Sequence, residues 1–202
     1  MLLNFPPIDM STDAIKSSIN SLQQIYSVIL ALALGEAFKQ VVAEGNVPEK
    51  RIAWEKLPNL VGLLALIIPF FHGMNRYFFE VYIARSFPGY ERYLLIDCVA
   101  FTVEGGFFFL LARSLSRAES NRFYLSVSLL LFVDVLWGGV IHLHMPSVKP
   151  WVLLDFASVP IILLFVWLFG KKRFFPELGA ILMIVRSACD YLTSWHFYFP
   201  SS

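Results

Sequence analysis

The chain has 202 residues, of which 57% are hydrophobic and 15% charged, with a net charge of +1 and a mean hydropathy of +0.65. Its charged fraction lies well below the roughly 25% of a soluble domain, and apolar runs recur along the whole length, which excludes an ordinary soluble globular protein. The balanced charge gives no footprint for nucleic acid or acidic partners.

At roughly 20 residues per crossing, the sequence predicts an all-α polytopic membrane bundle of six transmembrane helices joined by short loops. Residues 1–19 form an N-terminal tail, and residues 20–199 the six-helix domain. The tail lacks a basic n-region, a long apolar core and a small-residue cleavage site, so the first span is expected to act as its own uncleaved signal. Within it, Met10, Ile15 and Ile19 among polar neighbours suggest a short interfacial helix capped by Ser11 or Thr12.

The first span is expected at 20–42 and ends before Gly45-Asn46-Val47-Pro48. The second, 58–83, is followed by Phe87-Pro88-Gly89. The third and fourth, 93–114 and 122–144, are separated by a polar stretch from Ser114 to Asn121. Met145-Pro146 and Lys149-Pro150 precede the fifth, 151–170, and Gly170 to Pro176 precede the sixth, 177–198. Trp54, Trp151, Trp195, Tyr90 and Tyr93 fall near span ends, where amphipathic rings anchor at the interface. Cys98 and Cys189 fall within spans and read as buried reduced thiols.

Loop charge sets orientation. Loops one, three and five carry Lys50, Arg51, Lys56, Arg113, Arg117, Arg122, Lys171, Lys172 and Arg173. The other side carries Lys16, Arg85, Arg92 and Lys149, so the count is nine against four. The expectation is an integral protein of a plasma (inner) membrane with both termini non-cytoplasmic. The lipid bilayer is its expected partner. A homodimer or association with another membrane subunit is compatible with so small a bundle.

Ionisable residues stand inside nearly every apolar run. Because a charge at a helix centre costs roughly 2.5–3.5 kcal/mol on insertion scales, these groups must face one another or a wet cavity. Helical spacing gathers them into stripes. His72, Arg76 and Glu80 lie at i, i+4 and i+8, with Asn75 beside them. Asp97 shares a face with Glu104, and Asp134 with Gly138 and His142. Asp155 lies beside Ser158, and Arg186 is followed by Asp190 one turn on. Glu104, Asp134 and the Arg186–Asp190 pair are expected to floor a cavity opening toward the side of the termini. Arg186 should find a second carboxylate on the third or fourth span, since one partner leaves several of its five donors unused. His72, mid-span behind Pro69, is the histidine chosen for function, with Asn75 and Arg76 expected around the same cavity.

No GxSxG, HExxH, CxxC, P-loop or dinucleotide fingerprint is present. The constellation of His72, Asn75, Arg76, Glu80, Asp97, Glu104, Asp134, Asp155, Arg186 and Asp190 favours the movement of an ion, proton or small solute. Two alternatives carry weight. One is a noncatalytic membrane subunit or sensor held together by its polar core. The other is a metal-dependent intramembrane hydrolase drawing on His72, His142, His144 and His196 with a carboxylate.

Overall fold

The computed structural model describes residues 12–43, 51–84, 93–142 and 148–200. The long helices are α1 (Thr12–Val41), α2 (Leu57–Phe78), α3 (Leu94–Arg113), α4 (Ser120–His142), α5 (Lys149–Phe169) and α6 (Phe175–Thr193), followed by the single turn α7 (Trp195–Tyr198). Apart from one antiparallel pairing of Val42 with Ile52 and Ala43 with Arg51, the described residues contain no β-structure. Of the short interfacial helix read over residues 10–19, residues 12–19 are the opening turns of one continuous α1, and Met10 and Ser11 lie outside the described residues.

Among the described residues, five segments are long and apolar enough to cross a membrane: Lys16–Val41, Trp54–Ile83, Leu94–Arg113, Arg117–Ile141 and Lys149–Phe169. This is the build of a membrane protein. Its surface is apolar, with Trp167 79% and Leu192 74% exposed, whereas Asp97, Glu104, Asp155 and Arg186 are buried. Bilayer and protein core are equally apolar, so the polar groups segregate inward. α6 has the length of a crossing but is less apolar, because Glu177, Arg186 and Asp190 lie on it. Its outer face is nonetheless Ile181, Ile184, Val185 and Leu192, while Met183, Arg186, Ser187 and Asp190 point inward.

The helices close a ring in the order α1, α3, α4, α5, α6, α2. With no hydrophobic drive between helices in lipid, close packing and side-chain hydrogen bonds decide which pairs meet. A Cβ on Gly105 would stand 2.7 Å from Ile29 Cγ2, so α1 and α3 approach only because that residue is glycine. At Gly138 it would meet Val152 at 2.7 Å and Trp151 at 2.8 Å, which fixes the α4–α5 contact. Asn59, fully buried at the start of α2, donates to the carbonyl of Leu115 at 3.1 Å and to Ser120 Oγ at 2.9 Å. It thereby ties α2 to the turn between α3 and α4. Pro69 lacks an N–H, which frees the Ala65 carbonyl from its usual partner. Ser187 of α6 donates to that carbonyl.

Candidate functional site: a buried carboxyl cluster

A half-open cavity lies among α2 to α7. Glu104 of α3, Asp134 of α4, Asp155 of α5 and Arg186 and Asp190 of α6 form its polar side. Glu104 is the eleventh of 20 residues in α3 and Arg186 the twelfth of 19 in α6, so the cluster sits at mid-helix depth. Tyr77, Phe101, Trp137, Trp151, Phe197 and Tyr198 form most of the aromatic wall. The space open to the centre of a water-sized sphere is about 40 Å³. One water needs roughly 10–15 Å³ on that measure, so the cavity has the capacity of about three waters.

The polar side forms a continuous chain. Asp134 stands beside both Glu104 and Asp155. Asp155 forms an ion pair with Arg186, whose Nη1 lies 3.7 Å from Asp190 Oδ2. That same oxygen accepts a hydrogen bond of 3.2 Å from the Tyr198 hydroxyl. The Arg186 guanidinium also lies over the Phe70 ring, 5.8 Å from its centroid, in cation–π range. Four carboxyls thus share one cavity with a single guanidinium, which pairs with Asp155 and Asp190. Among the described residues Glu104 has no ion-pair partner, and a carboxyl buried without a cation carries its proton rather than a charge. Glu104 Oε1, Asp190 Oδ1 and Arg186 Nε and Nη1 are buried and make no hydrogen bond. Such groups are costly to bury unmatched. Here they surround a space able to take a polar guest.

Asp97 is buried but stands behind this cavity. Its Oδ2 accepts from Tyr77 at 2.8 Å and Tyr82 at 2.6 Å, and its Oδ1 from the Trp137 indole N–H at 3.0 Å. A π-helical turn over Phe79–Ile83 makes the double contact possible. In an α-helix, residues five apart point in different directions. The i→i+5 winding of a π turn brings them nearer one face. Asp97 therefore fixes Tyr77 and Trp137, two walls of the cavity, instead of lining it.

The second-span histidine stripe also lies outside the cavity lining. His72 is half-buried, with Nδ1 3.3 Å from the Tyr191 hydroxyl and its ring against Tyr198 and Phe199 at 5.0 and 5.5 Å between centroids. Arg76 pairs with Glu80 as its spacing predicts, and its Nε donates to the Phe197 carbonyl at 3.0 Å. Asn75 turns toward α1, accepting from Gln23 Nε2 at 3.1 Å. His72 and Arg76 hold α7 and the residue after it beside the cavity; it is Gly73 and Met74, between His72 and Asn75, that line it.

Two further expectations are corrected. Arg186 takes its second carboxylate from Asp155 on the fifth helix, not from the third or fourth span. Trp151, expected at the interface, is buried and stacks on Trp137 at 5.7 Å. Trp54 and Trp195 are exposed, as interfacial rings should be. His196 is exposed on α7, His142 ends α4, and His144 lies outside the described residues. Among the described residues, no three His, Cys, Asp or Glu side chains gather as metal ligands. Both cysteines are free and partly buried.

Sequence reading missed Tyr77, Tyr82, Trp137, Trp151 and Tyr198. Their signal was a phenol or indole inside an apolar run, where the polar tip needs a partner. The chain matches no protein-family model, and no curated protein or solved structure shows significant similarity to it.

Proposed function

We propose that this chain is a six-span carrier of a plasma (inner) membrane that moves protons or a small ion through its carboxyl cluster. One observation carries the reading: four carboxyls and one arginine line a small cavity at mid-helix depth, with Glu104 Oε1 unmatched. A polar core serving stability alone would match its groups, as Asp97 is matched by three donors. The sixth crossing is α6. Its low hydropathy comes from Glu177 in its first turn and from Arg186 and Asp190 on the inner stripe, while its outer face carries Ile181, Ile184, Val185 and Leu192. An even number of crossings and the nine-to-four excess of Lys and Arg support an orientation with both termini outside. The surrounding partner is lipid.

The test is proton movement in liposomes. Purified protein is reconstituted with a pH-sensitive dye inside, and a pH gradient is imposed with NaCl, KCl or methylammonium chloride outside. Wild type should dissipate the gradient at least about tenfold faster than protein-free vesicles in at least one salt, a difference of about 1.4 kcal/mol in barrier. Glu104→Gln, which keeps shape and removes the exchangeable proton, should return the rate to that of lipid alone. Wild-type vesicles indistinguishable from lipid in all three salts would defeat the proposal.

A further inference from the structure

Resting on that transport reading, we infer that the cavity binds a compact monovalent ammonium-type cation, of ammonium or methylammonium size, at its Glu104–Asp134 end, in exchange for the proton held there.

The charges on the two sides of the cavity are divided unequally. Arg186 is committed to Asp155 and Asp190 and lies over Phe70. Among the described residues Glu104, 1% exposed, has no ion-pair partner and its Oε1 makes no hydrogen bond, while Asp134 stands beside it. The walls beside them are Tyr77, Phe101, Trp137 and Trp151. The Trp137 indole N–H is turned away to Asp97, and the Tyr77 hydroxyl likewise, so neither polar tip is spent on the cavity. Carboxylate oxygens with aromatic rings around them recognise cations, and ammonium-type cations above all.

Size and ligand type narrow the class. About 40 Å³ holds about three waters, which suits methylammonium better than a long polyamine or a hydrated divalent ion. Ca²⁺ takes six to eight oxygens, and Mg²⁺ retains several waters in an octahedron. The aromatic walls supply no oxygens of that kind, and the described residues offer no metal-ligand group. An ammonium group needs only a few acceptors in any tetrahedral direction, and a methyl group suits the rings.

The exchange balances. The Glu104–Asp134 pair holding one proton carries one negative charge. The cation enters, the shared proton leaves to water, and two carboxylates remain around one positive guest. Total charge in the cavity is unchanged, with the guest replacing the proton. No bond other than O–H is broken.

The experiment uses purified full-length protein in detergent, in weak buffer with a pH-indicator dye. Methylammonium chloride is titrated while tryptophan emission and proton release are followed. The expected result is a saturable change in emission with about one proton released per cation bound, and a NaCl titration that is linear and releases none. Glu104→Gln and Asp134→Asn should each weaken the saturable phase at least tenfold, while Trp151→Phe reduces its amplitude. Equal, unsaturating responses to NaCl and methylammonium would overturn the inference, as would saturation without proton release. Proton flux in liposomes without saturable binding would refute the cation site alone. Saturable binding without flux would refute transport and leave the site standing.

Discussion

Replacing Asp97 with Asn tests whether this acid is a structural staple. Asp97 accepts three hydrogen bonds, from Tyr77, Tyr82 and Trp137, and is fully buried. Bonds to a charged acceptor contribute about 1.5–3 kcal/mol each, against about 0.5–1.5 for neutral partners. Asn can keep its oxygen on the Trp137 N–H and turn its amide toward the phenols, but both phenol protons then lose their acceptor. Converting three charge-assisted bonds to neutral ones thus costs about 3–5 kcal/mol. On the scale of soluble proteins of 150–250 residues, that lowers Tm by roughly 6–20 °C. Thermal unfolding in detergent, followed by tryptophan emission, reads the shift directly. Trp137→Phe removes one donor and should fall by about half as much or less. An Asp97→Asn protein within about 1 kcal/mol of wild type would refute the staple and return Asp97 to the list of functional acids.

Arg186→Leu strands Asp155 and Asp190 as unpaired buried carboxyls, which costs about 3–5 kcal/mol; a Tm within 3 °C of wild type would contradict the triad, and Arg186→Lys should recover part of the loss. Gly138→Val drives two methyl groups into Trp151 and Val152, so it should destabilise by about 1–3 kcal/mol and shift the tryptophan emission; an unchanged spectrum and Tm would place α5 differently. Asn59→Leu removes two donor bonds at a fully buried site and should cost about 1–3 kcal/mol, measured by thermal unfolding, with proton flux per folded molecule unchanged because Asn59 is remote from the cavity lining. His72→Ala should lower Tm by only a few degrees, as its ring is half-exposed and makes one long hydrogen bond; a collapse of the fold would mean the aromatic packing of the last turn carries more than its exposure suggests.

The inward stripes were legible because i, i+4 spacing is a property of one helix. Arg186 with Asp190, and Arg76 with Glu80, needed no knowledge of neighbours. Asp155 as the partner of Arg186 was not legible, since it depends on α5 lying beside α6 in the ring. The role of Asp97 was hidden by the π turn, whose altered winding carries Tyr82 to the acid that Tyr77 also reaches. Trp151 misled because a tryptophan at a helix start looks the same whether it faces headgroups or a glycine gap on the next helix. His72 drew attention as a titratable group mid-span, yet the helix turns it toward the last aromatic residues and offers the cavity Gly73 instead.

Helices in lipid can slide along one another at little cost, because apolar side chains give no marker of depth. Pro69 writes such a marker into α2. It opens one carbonyl, Ala65, at a single height, and only a donor at the matching height on α6 can use it. That donor is Ser187, the immediate neighbour of Arg186. If α6 moved by one helical turn, the carbonyl would stand alone and the guanidinium would leave Asp155 at the same time. The proline is thus an address for the charge: it sets the depth at which the one arginine of the cavity meets its acids.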